Sequence, residues 1–184
     1  MKRIFIAIQV DLNKELLDAV NKLKNVLRDE AVKWVEETNR HVTLRFLGET
    51  GEDRIQDIKQ AINNSVSLFD QFTLMLSGMD FFSGRDQVKA FFLRINRSPE
   101  LDALKKTLDD ELHGAGFERE NRMFNPHLTL GRVKRLTHVE TFKRQISVSG
   151  SLKQVIPVKE IILYESILSP KGPMYRSLMK SVLK

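Results

Sequence analysis

Two stretches decide how this chain is read: HVTLRFLGE at residues 41–49 and HLTLGRV at residues 127–133. Each opens with His-x-Thr-Leu, and each alternates with the period of two that an extended strand imposes. In the first, Val42, Leu44 and Phe46 are expected on the core side, with His41, Thr43 and Arg45 on the other. In the second, Leu128 and Leu130 point inward while His127 and Thr129 share the opposite face. Each motif thus presents an imidazole beside a hydroxyl on an otherwise buried strand.

The motifs lie 86 residues apart in a chain of 184, and their surroundings repeat. His41 follows Phe5 by 36 positions, and His127 follows Phe91 by 36. Residues 3–10 and 88–95 are apolar runs that read as strands. Leu16, Val20, Leu23 and Leu27 mark a helix after the first run; Leu101, Leu104, Leu108 and Leu112 mark one after the second. Ser98-Pro99-Glu100 starts that later helix with a capping hydroxyl, a proline and an acid, and Gly114 and Gly116 end it. Ile55, Ile58, Ile62 and Val66 place a helix after the first motif, with Gly48 ending the strand before it. A capping box at Thr137-x-x-Glu140 places another helix, through Phe142 and Ile146, after the second motif. Turns are expected at residues 83–86 and 169–173.

An offset of 86 is too long for a solenoid period. It implies one bilobal domain over residues 1–184, with duplicated units near 1–86 and 87–184. Strands interleaved with helices also suit a parallel sheet. No glycine-rich strand-to-helix turn of the dinucleotide-binding kind is present, however. The reading is α+β: two pseudo-symmetric lobes whose antiparallel sheets face a central cleft, with the helices outside.

Composition narrows the function. Thirty Lys and Arg against twenty-four Asp and Glu give a net charge of +6, which favours polyanionic partners such as nucleic acid. The absence of cysteine excludes disulfides and thiolate metal sites and fits a reducing cytoplasm. No apolar run is long enough to span a bilayer, and the basic, briefly apolar start reads as a buried strand, not a signal peptide.

Two histidines and two threonines lining one cleft suit phosphodiester chemistry. Breaking a P–O bond requires a base for the attacking oxygen and an acid for the departing one. Imidazole performs either role near neutral pH. Threonine hydroxyls donate to the non-bridging oxygens, and a guanidinium adds charge-assisted bonds. Zinc is the competing use of two histidines, but threonine is a poor ligand and no Cys or helical HExxH completes a set. No metal and no cofactor is expected. His113, near a helix C-terminus, and His138, beside a capping threonine, read as structural. Trp34, Phe81 and Phe82 read as core packing, with stacking on a base as the alternative.

The paired motifs resemble those of the two-histidine phosphoesterase superfamily, and most closely its RNA 2′,3′-cyclic phosphodiesterases, also called 2′-5′ RNA ligases. The similarity extends to the opening FIAI strand, to Asn125-Pro126 and to Leu168, Gly172 and Tyr175 near the end. It implies hydrolysis of a terminal 2′,3′-cyclic phosphate to a 2′-phosphomonoester, and ATP-independent 2′-5′ joining of RNA ends. By motif position His41 would protonate the departing O3′ and His127 would activate water, roles that exchange when the direction of reaction changes. Thr43 and Thr129 would hold the phosphate with Arg132. Strict alternation points Arg132 away from the cleft, so the family pattern requires a bulge, which Gly131 permits. Arg45 has the right parity and is a further candidate. The implied partner is RNA with a cyclic phosphate end, tRNA fragments included, bound by a monomer without membrane association. The alternatives are a phosphodiesterase of small cyclic nucleotides or 2′-5′ oligonucleotides, and a non-catalytic RNA-binding protein.

Overall fold

The opening run FIAI is apolar throughout because its strand is covered on both sides. In β1 (Lys2–Gln9), Ile4, Ile6 and Ile8 enter the main core, while Phe5 and Ala7 join a smaller cluster with Ile162, Tyr164 and Tyr175 on the opposite face. The computed structural model describes residues 1–84, 87–170 and 172–184. Arg85 and Asp86, in the first expected turn, and Lys171, in the second, lie outside them.

After β1 come α1 (Lys14–Val26), β2 (Ala31–Trp34), β3 (His41–Thr50), α2 (Ile55–Val66) and β4 (Phe72–Gly84). They are followed by β5 (Gln87–Ile95), α3 (Pro99–Gly114), β6 (His127–Arg135), α4 (Val139–Val148), β7 (Lys153–Val158), β8 (Glu160–Ser169) and β9 (Gly172–Val182). The helices follow their apolar spacing. In α3, Leu101, Leu104 and Leu108 are fully buried, each contributing about 1.5–3 kcal/mol by leaving water. Ser98 caps this helix by accepting from the Leu101 amide.

The start of α4 differs from expectation. Its cap position is His138, and no side chain of its own segment caps it. The carboxylate of Glu30, between α1 and β2, accepts instead from the amides of Thr137 and His138 at 2.8 Å each. These bonds hold Glu30 down to a pKa of about 2. A distant carboxylate performs the task that the local Thr137–Glu140 pattern suggested.

All pairings among the described strands are antiparallel, in the order β7-β4-β5-β6-β3-β1-β8-β9, with β2 on β6. The two halves of the sheet, β3-β1-β8-β9 and β6-β5-β4-β7, meet through the single pair Val42 and Leu128. The chain crosses between them: β4 pairs with β5, and β8 returns to pair with β1. Each half of the sequence therefore completes the sheet of the other. The apolar stripes of all four helices pack with one face of the sheet into one continuous core. The opposite face forms the cleft.

Candidate active site

β3 and β6 start alike. His41 Nδ1 donates to the carbonyl of Asn39, and His127 Nδ1 to that of Asn125, both at 2.7 Å. A carbonyl only accepts, so Nδ1 of each imidazole carries a proton and Nε2 stays outside this bond. Asn39 and Asn125 are themselves 86 residues apart, so the repeated unit is Asn-x-His-x-Thr-Leu. This longer match was a readable signal that the shorter motif overlooked. Both asparagines serve here through main-chain carbonyls. The Asn39 side chain also donates to the carbonyl of Pro173, tying the start of β3 to β9.

From these starts the strands depart from strict alternation in the same way. Ile6 and Ala7 of β1 oppose Arg45 and Thr43, so Leu44 is an extra residue in β3. Phe91 and Phe92 of β5 oppose Gly131 and Thr129, so Leu130 is the extra residue in β6. Such a bulge reverses which face the following residues take. Leu44 and Arg45 are consecutively buried, as are Leu130 and Gly131; Phe46 and Arg132 then emerge into the cleft.

These bulges fix the orientation of three residues. Arg132 reaches the cleft, with the extra residue at Leu130 beside Gly131. Gly131 is required there, because a Cβ would stand 2.5 Å from Phe91 Cζ. Arg45 lies on the helix side, against the expected parity. Its guanidinium donates to the Glu118 carbonyl and pairs with Glu120 at 3.4 Å and Asp109 at 3.6 Å, beside Lys105. Phe46, expected in the core, is 46% exposed and carries the Arg3 guanidinium 5.1 Å above its ring. Gly48 does not end β3. It sits at φ +72° beside a second extra residue, Leu47, and the strand runs on to Thr50.

The cleft has a volume of about 620 Å³. His41, Thr43, His127, Thr129 and Arg132 all line it, together with Arg3, Lys33 and Tyr175, to which the sequence reading gave no role there, with Phe46, expected in the core, and with Trp34, weighed as a stacking residue. The imidazole of His41 rests between Phe5 and Tyr175, with ring centroids at 5.0 and 5.2 Å. Burial in these surroundings holds His41 below the ordinary imidazole value, opposed by its bond to Asn39 and reinforced by the charges of His127 and Arg132. Burial likewise raises Tyr175, which stays a neutral hydroxyl. His127 meets Phe92 and Phe82 instead, each with centroids 5.1 Å away.

His138 pairs with Glu30 at 3.0 Å, and the exposed His113 lies 3.3 Å from the Phe117 carbonyl; neither lines the cleft. Phe81 packs on Phe142, and Trp34 packs edge-on against Phe91 while also reaching the cleft. Among the described residues no helix is long and apolar enough to cross a membrane.

Known proteins resemble this chain in sequence and in fold. Residues 12–166 match the family model of the 2′-5′ RNA ligase superfamily. An RNA 2′,3′-cyclic phosphodiesterase of Archaeoglobus fulgidus is 33% identical over 96% of this chain and 97% of its own. One of Thermotoga maritima is 32% identical over 96% and 92%, and one of Methanothermobacter thermautotrophicus 31% over 96% and 96%. Among solved structures, E. coli LigT complexed with 3′-AMP superposes with a TM-score of 0.76 at 24% identity, covering 100% of this chain and 98% of that one. That likeness shows the shared fold.

Proposed function

Because the chain belongs to the 2′-5′ RNA ligase superfamily, we propose that it hydrolyses RNA 2′,3′-cyclic phosphates to 2′-phosphomonoesters by acid–base catalysis between His41 and His127. The observation that carries this reading is the matched pair of imidazoles. Each is fixed through Nδ1 to a main-chain carbonyl, and both line one cleft beside Thr43, Thr129 and Arg132.

In the forward direction Nε2 of His127 takes the proton of the attacking water as its oxygen bonds to phosphorus. The P–O3′ bond breaks, and protonated His41 donates its Nε2 proton to O3′. The Thr43 and Thr129 hydroxyls donate to the non-bridging oxygens, and Arg132 offsets their charge. In the empty cleft burial favours neutral His41. An anionic phosphodiester restores the balance by favouring the imidazolium, so the acid is charged when substrate is present. A 5′-hydroxyl in place of water yields a 2′-5′ linkage with the same proton movements, and cleavage of that linkage reverses them. The substrate is an RNA end, tRNA fragments among the candidates, and the protein acts as a monomer of two duplicated units.

The test is incubation with a short RNA ending in a 2′,3′-cyclic phosphate, in excess EDTA, with identification of the product. Conversion to the 2′-phosphate, lost in both His41→Ala and His127→Ala, is the expected result. A 3′-phosphate would overturn the assignment of the leaving oxygen. RNA binding without turnover would leave a binding protein.

A further inference from the structure

We propose that Phe82 forms a stacking shelf for the nucleobase next to the terminal nucleotide of the substrate RNA, a subsite outside the cleft. This deepens the reading above and rests on it.

Register places the shelf. Across the sheet, Phe82 opposes Ala90, Ala90 opposes Arg132, and Arg132 opposes Lys33. Directly opposed residues of an antiparallel sheet point to the same face. Arg132 and Lys33 line the cleft, so Phe82 stands on the same surface, two strands or about 10 Å beyond the phosphate-facing guanidinium. In register between them stands Ala90, small and buried, so the intervening strand places no bulky side chain between Phe82 and Arg132. Phe92, opposite Thr129, forms the inner wall.

The exposure of Phe82 has no structural use. Its neighbour Phe81 packs on Phe142 in the core, whereas Phe82 is 37% exposed. Its ring packs tilted against the buried Phe92 at 4.3 Å and meets His127 edge-on, so it is held in place while remaining partly exposed. Acid–base chemistry needs no aromatic there. A held aromatic face is what an unpaired base requires, whatever its identity. Arg94, opposite His127 in the same sheet and half exposed, pairs with Asp80 at 3.9 Å, which keeps a cation on this surface. The cleft receives the terminal nucleotide, so only substrates longer than one nucleotide reach the shelf.

The test compares adenosine 2′,3′-cyclic phosphate with an oligonucleotide carrying the same end, for wild type, Phe82→Ala and Phe82→Trp. Phe82→Ala is expected to raise KM for the oligonucleotide about ten-fold more than KM for the mononucleotide, near the lower end of base–aromatic stacking. Phe82→Trp restores the wild-type values. Equal losses on both substrates, or a shifted pH profile, would mean that Phe82 only supports His127 and would overturn the shelf. So would no change on either. Binding of RNA with 2-aminopurine at the penultimate position reads the contact without turnover. Quenching in wild type that Phe82→Ala removes supports the shelf even if hydrolysis fails; quenching equal in the two proteins refutes it.

Discussion

Arg45 and Gly131 occupy the same place in two strands: 86 residues apart, each follows a bulged leucine, and each is buried on the helix side of the sheet. The residues after them, Phe46 and Arg132, are both turned into the cleft. One irregularity, used twice, removes one arginine from the cleft and delivers another to it.

Gly131→Ala tests the second bulge. The added methyl would lie 2.5 Å from Phe91 Cζ and 3.2 Å from Val32 Cγ1, and Phe91 is fully buried. Overpacking of this kind costs about 1–3 kcal/mol. The expected outcome is a lower urea midpoint together with a raised KM, because β6 must shift and Arg132 with it.

Arg45→Met separates a stabilising arginine from a phosphate-binding one. The substitution removes the guanidinium from Asp109 and Glu120 and leaves Lys105 to bridge them. A loss of up to about 3 kcal/mol is expected, no more than the low end for breaking a buried pair, because Lys105 still meets both carboxylates and Glu120 is about one-third exposed. Denaturant unfolding measures the loss. Affinity for inorganic phosphate, by titration calorimetry, should stay at the wild-type level; weakened binding in a stable protein would return Arg45 to the cleft.

His41 should titrate below the ordinary value of about 6.5 in the free protein and move upward when inorganic phosphate binds. Imidazole carbon shifts followed by NMR against pH read both. The sign for stability follows. A lowered folded value means that the unfolded chain binds more protons between the two pKa values. This contribution is complete above about 6.5 and is lost as pH falls through the folded value. His41→Asn should flatten that part of the stability curve.

Thr129→Val keeps the shape of the side chain and removes the donor. A lost donor to a charged transition state lowers kcat by about a hundred-fold or more, and Thr43→Val should act in the same direction. Single-turnover rates on the cyclic phosphate, with circular dichroism to confirm folding, would show it. A change confined to KM would mean that the hydroxyls bind the ground state equally well.

Glu30→Gln should loosen the start of α4. Its carboxylate receives the amides of Thr137 and His138, which hold its pKa at about 2. The stabilisation is present above the ordinary carboxylate range and disappears as pH falls toward that value. In the variant the Thr137 and His138 amides should exchange faster with solvent, and the acid limb of the stability curve should weaken.

The local features of this protein were legible in its residues. Apolar spacing marked α1, α2 and α3, a capping pattern marked α4, Ser98-Pro99 marked the start of α3, and the repeated His-x-Thr-Leu marked β3, β6 and the histidines that line the cleft. Asn39 and Asn125 would have lengthened that repeat. These signals survive in the sequence because helix stripes, caps and strand faces depend on residues a few positions apart. What alternation could not give was the direction of any side chain beyond Leu44 or Leu130, since a bulge arises only when a strand meets its neighbour.

The sequence by itself therefore determined which elements form, that the fold is α+β, and which two histidines belong together. The tertiary structure alone decided that Arg45 turns away from the cleft, that Glu30 caps a helix more than a hundred residues away, and that Tyr175 packs on His41 and Phe82 on His127. Arg132 faces the cleft by the kind of bulge that the family resemblance required. The physical reason is range. Periodicity and capping are set by neighbours along the chain, whereas register, bulges and long-distance hydrogen bonds exist only between segments that folding brings together.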